Sequence, residues 1–424
     1  MSAGALPPTS SGAQAATTVR GIRGTRTTAG TLSGIHSSGF ALDRPLDGVP
    51  DLPPRLRDLL IDARFRAAER VFGTAISHGA ELILLAGDIL SSDIGPGSRG
   101  AWFLREQFRR LETHGIHVVW AEPTAGLHRW IETHVGLPGN VTLLSEEASA
   151  DLVLSNTTVR VHCCTSSSSL AVPKGGADWN LIVVPGLAVD PGLIRWADYV
   201  ALGGPMRDSL HANVFAAGAP QGSGFDEAGI HGCLGFSLAA GRPPQTEFIA
   251  ADVVRWVEEE HAVLPGSTAD GLRSQLTHRL EEFSSAHSCD AWIARWTLDP
   301  QSPDTLAHCA ADRLRSLQQD LQRVAAATEI PFWPASLSAR FNSTASRFQA
   351  SLPETLATIL DGCRDWSAEQ ASAHDLVALT AADGLSVPDA LRFVTPSQVH
   401  RSLQSRLSAE AVRVLAVHGF TALR

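Results

Sequence analysis

Leu82-Ile-Leu-Leu-Ala-Gly-Asp88 is a short, wholly apolar run that ends on a glycine and a single carboxylate. A run of this length, closed by a turn residue, reads as a strand buried on both faces, as in a parallel sheet. Ahead of it, apolar residues recur at helical spacing through Pro53–Ser77, at Leu56, Leu59, Leu60, Ala63, Ala67, Val71 and Ala75. Behind it, a second helical stretch, Ala101–Glu112, leads into a strand at Ile116–Ala121. Strand and helix alternating in this way predict an α/β layer architecture, with Asp88 presented at a strand end.

Further strand-like runs follow at Val141–Leu144, Ala150–Leu154, Val159–Cys163, Asn180–Val184 and Tyr199–Leu202. Ser155-Asn156 between two of them reads as a hairpin turn. From Asp252 the texture shifts to longer helices, at Leu272–Ser285, Thr305–Ala327, Pro353–Cys363 and Ser397–Val417, around strands at Ala291–Thr297 and Phe332–Asn342. The expected organisation is a disordered tail over 1–30, an α/β domain over 31–250, an α+β cap over 251–345 and a helical region over 346–424. The tail carries Arg20, Arg23 and Arg26 without an acid and has too little apolar surface to order itself.

A chain of 424 residues, 44% hydrophobic and 18% charged, has the balance of a globular protein with more than one domain. No apolar run approaches the ~18 residues that a membrane span requires. The six cysteines form no CxxC pair and no regular framework, which points to a reduced, cytoplasmic setting. With a net charge of −10, any nucleic-acid contact would need a local basic patch. The arginines of the first two helices (Arg55, Arg57, Arg64, Arg66, Arg70, Arg105, Arg109, Arg110) are candidates, although the interleaved Asp58, Asp62, Glu69 and Glu106 favour a solvated face. There is no phosphate-binding glycine loop, no zinc-type Cys/His spacing and no nucleophile elbow around Ser166–Ser169.

Ile35-His-Ser-Ser-Gly-Phe-Ala-Leu-Asp43 resembles the I-H-T-A-D-L-H-L-D opening of the SbcD/YhaO-type DNA-repair exonucleases, in the calcineurin-like metallophosphoesterase superfamily. The likeness continues in Asp43-Arg-Pro-Leu-Asp-Gly48, Phe103–Leu111, Asp198-Tyr-Val-Ala-Leu-Gly203, Gly218-Ala-Pro-Gln-Gly222, Gly232-Cys-Leu-Gly235 and Asp252-Val-Val-Arg-Trp256. Ile293–Leu298 and Pro331-Phe-Trp333 extend it into the cap. The resemblance implies a four-layer sandwich, two sheets flanked by helices, followed by the α+β cap and a helical C-terminus. It also implies two Mn²⁺ or Mg²⁺ ions held by Asp, His and Asn side chains, and a partner ATPase of the SMC-like, SbcC type.

Carried over one position at a time, the ligands are mostly missing. The D-x-H pair falls on Gly39 and Ala41, and the G-D carboxylate on Asp88, which is kept. The ligand Asn falls on Pro123 and the catalytic His on Thr124. The remaining histidines fall on Pro185, Gly204 and Met206. Glycine, alanine and proline side chains coordinate nothing, and a thioether is too soft for Mn²⁺ or Mg²⁺. The expectation is a degenerate, non-catalytic member with no resident cofactor, acting as a scaffold or regulatory subunit in DNA repair. The cap and C-terminal helices are the expected docking surface for the ATPase. The alternative is an active exonuclease or phosphodiesterase with a rebuilt site, in which Asp43 and Glu122 join Asp88, with His36 and His128 close in sequence.

Overall fold

The computed structural model describes residues 30–49, 52–90, 98–122, 124–155, 157–165, 176–187, 191–204, 207–285, 289–301, 305, 308–326 and 332–340. The expected basic tail, but for its last residue, and the expected helical C-terminus lie outside them.

Leu82–Ala86 (β2) is buried along its whole length, as its apolar run requires. It pairs in parallel with Leu32–Ser37 (β1) on one side and His117–Ala121 (β3) on the other, and Val141–Leu144 (β4) continues the parallel set. Gly232–Leu238 (β11) runs antiparallel to β1, and Gln245–Ala250 (β12) closes the edge, giving the order β12-β11-β1-β2-β3-β4. The helices Pro54–Ser77 (α1), Arg99–Thr113 (α2) and Ala125–His134 (α3) connect the parallel strands. Pro54 opens α1, where its missing N–H leaves no helical bond unmade. The Ser98 hydroxyl accepts from the Ala101 N–H at 3.1 Å and caps α2.

The second sheet has the order β5-β6-β7-β8-β10-β9. Its strands are Ser149–Leu154 (β5), Thr157–Cys163 (β6), Trp179–Val184 (β7), Tyr199–Leu202 (β8), Arg207–His211 (β9) and Val214–Ala217 (β10). The short helix Pro191–Ile194 (α4) precedes β8 on the sheet's far side, where Ile194 packs on Ile182, Val200 and Val214. Between the two sheets lies a core that includes Leu82, Leu84, Val119, Val161, Leu181, Tyr199 and Phe236. On the helix side of the first sheet, Ile83, Leu85 and Trp120 pack with Phe72, Leu104 and Phe108 of α1 and α2. Period-2 burial of β2, one set of leucines to each face, is why its sequence is apolar throughout.

The third sheet is parallel in the order β13-β14-β15: Val254–Val263 (β13), Ala291–Pro300 (β14) and Phe332–Ala339 (β15). Ala269–Ser285 (α5) and Ala311–Ala325 (α6) cross over between its strands. Trp292, Trp296 and Leu298 face Leu272, Leu276 and Leu321 of these helices. The opposite face, with Trp256, Ile293 and Trp333, packs on Leu56, Ala63 and Ala67 of α1. The cap sheet is therefore built onto the first helix of the sandwich.

Polar groups fix this junction. The Gln221 amide accepts from the Val253 and Val254 N–H groups at 2.9 and 3.1 Å and donates to the Val254 carbonyl at 2.6 Å. Arg70 donates to the Asp252 carbonyl at 2.6 Å and to Asp290 at 2.5 Å, and Arg66 reaches the same carboxylate at 2.6 Å. Two of the arginines that read as candidate phosphate contacts are thus engaged with the cap. Arg99, outside that candidate set, pairs with Asp62, and Arg109 of the set pairs with Glu106. Among the described residues no helix is long and apolar enough to cross a membrane.

Candidate functional site

The loops that leave β1, β2, β3, β7 and β8 at their carboxyl ends carry Gly39, Asp88, Glu122, Pro185 and Gly204, in that order. Crevices at such strand ends are where layered α/β proteins bind ligands. The loops are laced together by their own backbone. The Gly39 N–H donates to the Gly87 carbonyl at 3.1 Å, Ala41 to Asp88 at 2.9 Å and Leu42 to Ile89 at 3.1 Å. The Ser38 hydroxyl donates to the Gly204 carbonyl at 3.0 Å, tying the first sheet to the second.

This lacing holds two non-glycine residues in the left-handed region, Ala41 at φ 44° and Asp88 at φ 52°. Alanine has no polar atom with which to offset that conformation, and such positions cost about 1–3 kcal/mol. Backbone strain is thus concentrated at this strand-end crevice.

The side chains are another matter. A Cβ added to Gly204 (φ 109°) would lie 2.6 Å from Leu187 Cδ2, so the space in front of this residue is filled by leucine. Across the crevice, a Cβ added to Gly87 would lie 2.7 Å from the Pro185 ring. Thr124 occupies the position just before α3, and its N–H donates to Glu122 at 3.0 Å. Pro123 and Met206 lie outside the described residues.

Asp88 has a cationic partner that the sequence reading did not name. Arg44 brings its two terminal nitrogens to 3.3 and 3.4 Å from the two carboxylate oxygens, with both side chains half exposed. A turn closed by the Arg44 N–H on the Ala41 carbonyl at 2.9 Å aims it there. Glu122 is 3% exposed; burial pushes its pKa up, and the hydrogen bonds from Thr124 counter that. Asp88 adds to the upward push, which places the two carboxylates within electrostatic reach. Asp43 turns elsewhere, accepting from the Gly100 N–H in the first turn of α2, and partial burial raises its pKa. His128 points along α3 toward Glu132, 3.7 Å away. Among the described residues no group of three or more His, Cys, Asp or Glu side chains is disposed to hold a metal ion.

His36 is fully buried and bridges the sheets: Nε2 lies 3.0 Å from the Leu202 carbonyl and Nδ1 3.1 Å from the Tyr199 hydroxyl. A carbonyl only accepts, so Nε2 carries the proton and Nδ1 accepts from the tyrosine. Burial pushes its pKa down to about 4 from 6.5. Below pH 6.5 the unfolded chain takes up a proton that the folded one refuses. The stability from a neutral His36 is therefore fully present above that pH and is lost as pH falls toward 4, by about 3 kcal/mol in all. His117 and His162, also depressed by burial, act with the same sign. Denaturant titrations of His36→Phe should show a shallower loss between pH 6.5 and 4 than wild type; an unchanged slope would contradict this assignment.

No protein-family profile matches the chain. Over 87 residues it is 30% identical to the uncharacterized metallophosphoesterase YhaO of Bacillus subtilis (strain 168), which covers 20% of this chain and 21% of that protein. The chain thus matches about a fifth of the length of this curated relative. Among solved structures, a hypothetical protein from Thermus thermophilus aligns with a TM-score of 0.29 at 11% identity, over 51% of this chain and 98% of that one. Sequence comparison therefore gives a short likeness to a metallophosphoesterase, in keeping with the α/β sandwich.

Proposed function

We propose that this protein is a degenerate metallophosphoesterase of the SbcD/YhaO kind that acts as a non-catalytic scaffold or regulatory subunit in cytoplasmic DNA repair, beside an SMC-like ATPase. One observation carries the reading. The strained loop backbone of a ligand site persists at Ala41 and Asp88, while Gly39, Ala41, Pro185 and Gly204 offer no donor atom to a cation. Two divalent ions need several oxygen or nitrogen ligands between them. The donor set does not fit that pair.

The rival reading, an exonuclease or phosphodiesterase with a rebuilt metal site, draws on Asp88 and the buried Glu122 facing one crevice. Hydrolysis assays separate the two. With Mn²⁺ or Mg²⁺ added, cleavage of bis-p-nitrophenyl phosphate and of single- and double-stranded DNA should stay at the level of buffer. Metal-dependent turnover that disappears in Asp88→Asn, with the fold intact, would establish the rival.

A further inference from the structure

The site lacks donors for metal ions, but it does not lack cations. Arg44 lies against Asp88 from the solvent side, as described above. A second arginine, Arg64 of α1, approaches from within the fold. It is 6% exposed, and the helical positions flanking it, Ala63 and Phe65, are also buried. One terminal nitrogen donates to the Phe40 carbonyl at 3.4 Å, in the loop after β1, and the other to the Ser223 hydroxyl at 2.9 Å. The carboxylates that act on its charge are Glu227, Asp88 and Asp47, with Arg44 the opposing cation. Glu227 is itself held by the Ser223 N–H at 2.8 Å, and the Asp47 N–H donates to the Ser223 carbonyl at 2.8 Å.

A guanidinium does not deprotonate in a protein, so Arg64 is a permanent charge. Burying such a charge is unfavourable unless carboxylates and hydrogen-bond acceptors surround it. Conversely, Asp88 and the nearby buried Glu122 repel each other when both are ionised and no cation intervenes.

We propose that the guanidinium groups of Arg44 and Arg64 perform the electrostatic task that two metal ions perform in a catalytic phosphoesterase site, holding Asp88 and the loops after β1 and β2 in place. The site is then a metal-independent structural centre, and the arginines are positioning residues. This rests on the non-catalytic reading given above, whose own failure would show separately as metal-dependent hydrolysis by wild type.

A double-mutant cycle on the full chain tests it by thermal melting. Arg64→Met and Arg44→Met should each lower Tm, the first by more because it removes a buried side chain that bonds both the Phe40 carbonyl and the Ser223 hydroxyl. Adding Asp88→Asn should recover part of the Arg44 loss, since it removes the charge left without a partner. That recovery should shrink with added KCl, as the exposure of both side chains dictates. If Arg64→Met does not fold, the Arg44 and Asp88 cycle alone decides. Strictly additive effects, with no recovery of Tm from Asp88→Asn in the Arg44 variant, would overturn the proposal.

Discussion

Asp252→Ala should cost about 3–5 kcal/mol, among the largest effects available to a single substitution in this chain. Asp252 and Arg255 form a two-pronged pair at 2.6 and 2.8 Å, with side-chain exposures of 0% and 6%. The guanidinium also lies over the Trp292 ring, 4.9 Å from its centre. Removing the carboxylate strands a desolvated positive charge where β12 hands over to β13. The same residue's carbonyl takes the hydrogen bond from Arg70, so the disturbance falls on the hinge between sandwich and cap. Denaturant unfolding measures the loss directly, and Asp252→Ala/Arg255→Met should restore part of it. A change below about 1 kcal/mol would place the pair among ordinary surface ion pairs and refute the buried-clamp description.

Gly204→His, which adds an imidazole where the proposed family carries one, should destabilise by about 1–3 kcal/mol and bring no activity. Two physical terms add. A histidine there must adopt φ 109°, a region that side chains avoid, and its Cβ would sit 2.6 Å from Leu187 Cδ2. Gly39→Asp meets a milder version, at φ 62° with Ala219 Cβ 3.2 Å away. Leu187 is 56% exposed and can swing aside, so the backbone term dominates at both positions. Pairing Gly204→His with Leu187→Ala should recover little, because the φ of 109° remains; equal Tm values for wild type and the single variant would contradict the backbone strain.

Much of the architecture was legible because it is written locally. The apolar run at Leu82–Ala86 and the helical spacing through α1 each report their own burial. The strands β9, β10 and β11 escaped notice although β10 is buried throughout, and two further strands carry no such local mark. β12 begins Gln-Thr-Glu at an exposed sheet edge, so no alternation marks it. β13 carries Glu258-Glu259-Glu260, which reads as a solvated loop until their partners are known. Those partners, Arg295, Arg279 and Arg340, come from β14, α5 and the end of β15.

The site divides in the same way. That Gly39, Ala41, Pro185 and Gly204 offer no donor side chain follows from residue types alone. The contacts around Asp88 and Arg64 do not, because they are long-range: Arg44 meets Asp88 44 residues away, and Arg64 meets Ser223 159 residues away. A signal existed for Arg64, a charged residue between the apolar positions of an otherwise periodic helix face. Asp43 and Glu122 illustrate the limit of proximity in sequence. Asp43 serves the start of α2, whereas Glu122 lies within electrostatic reach of Asp88.

Isothermal titration of the purified full chain with Mn²⁺ tests the central claim most directly. The donor set predicts no tight binding: Asp88 is engaged by Arg44, and glycine, alanine and proline stand where ligands would be. Heats indistinguishable from dilution, with a Tm that is the same in EDTA and in Mn²⁺, are the expected result. Two ions bound with an affinity of about 1 µM or better, each worth roughly 8 kcal/mol, would contradict it.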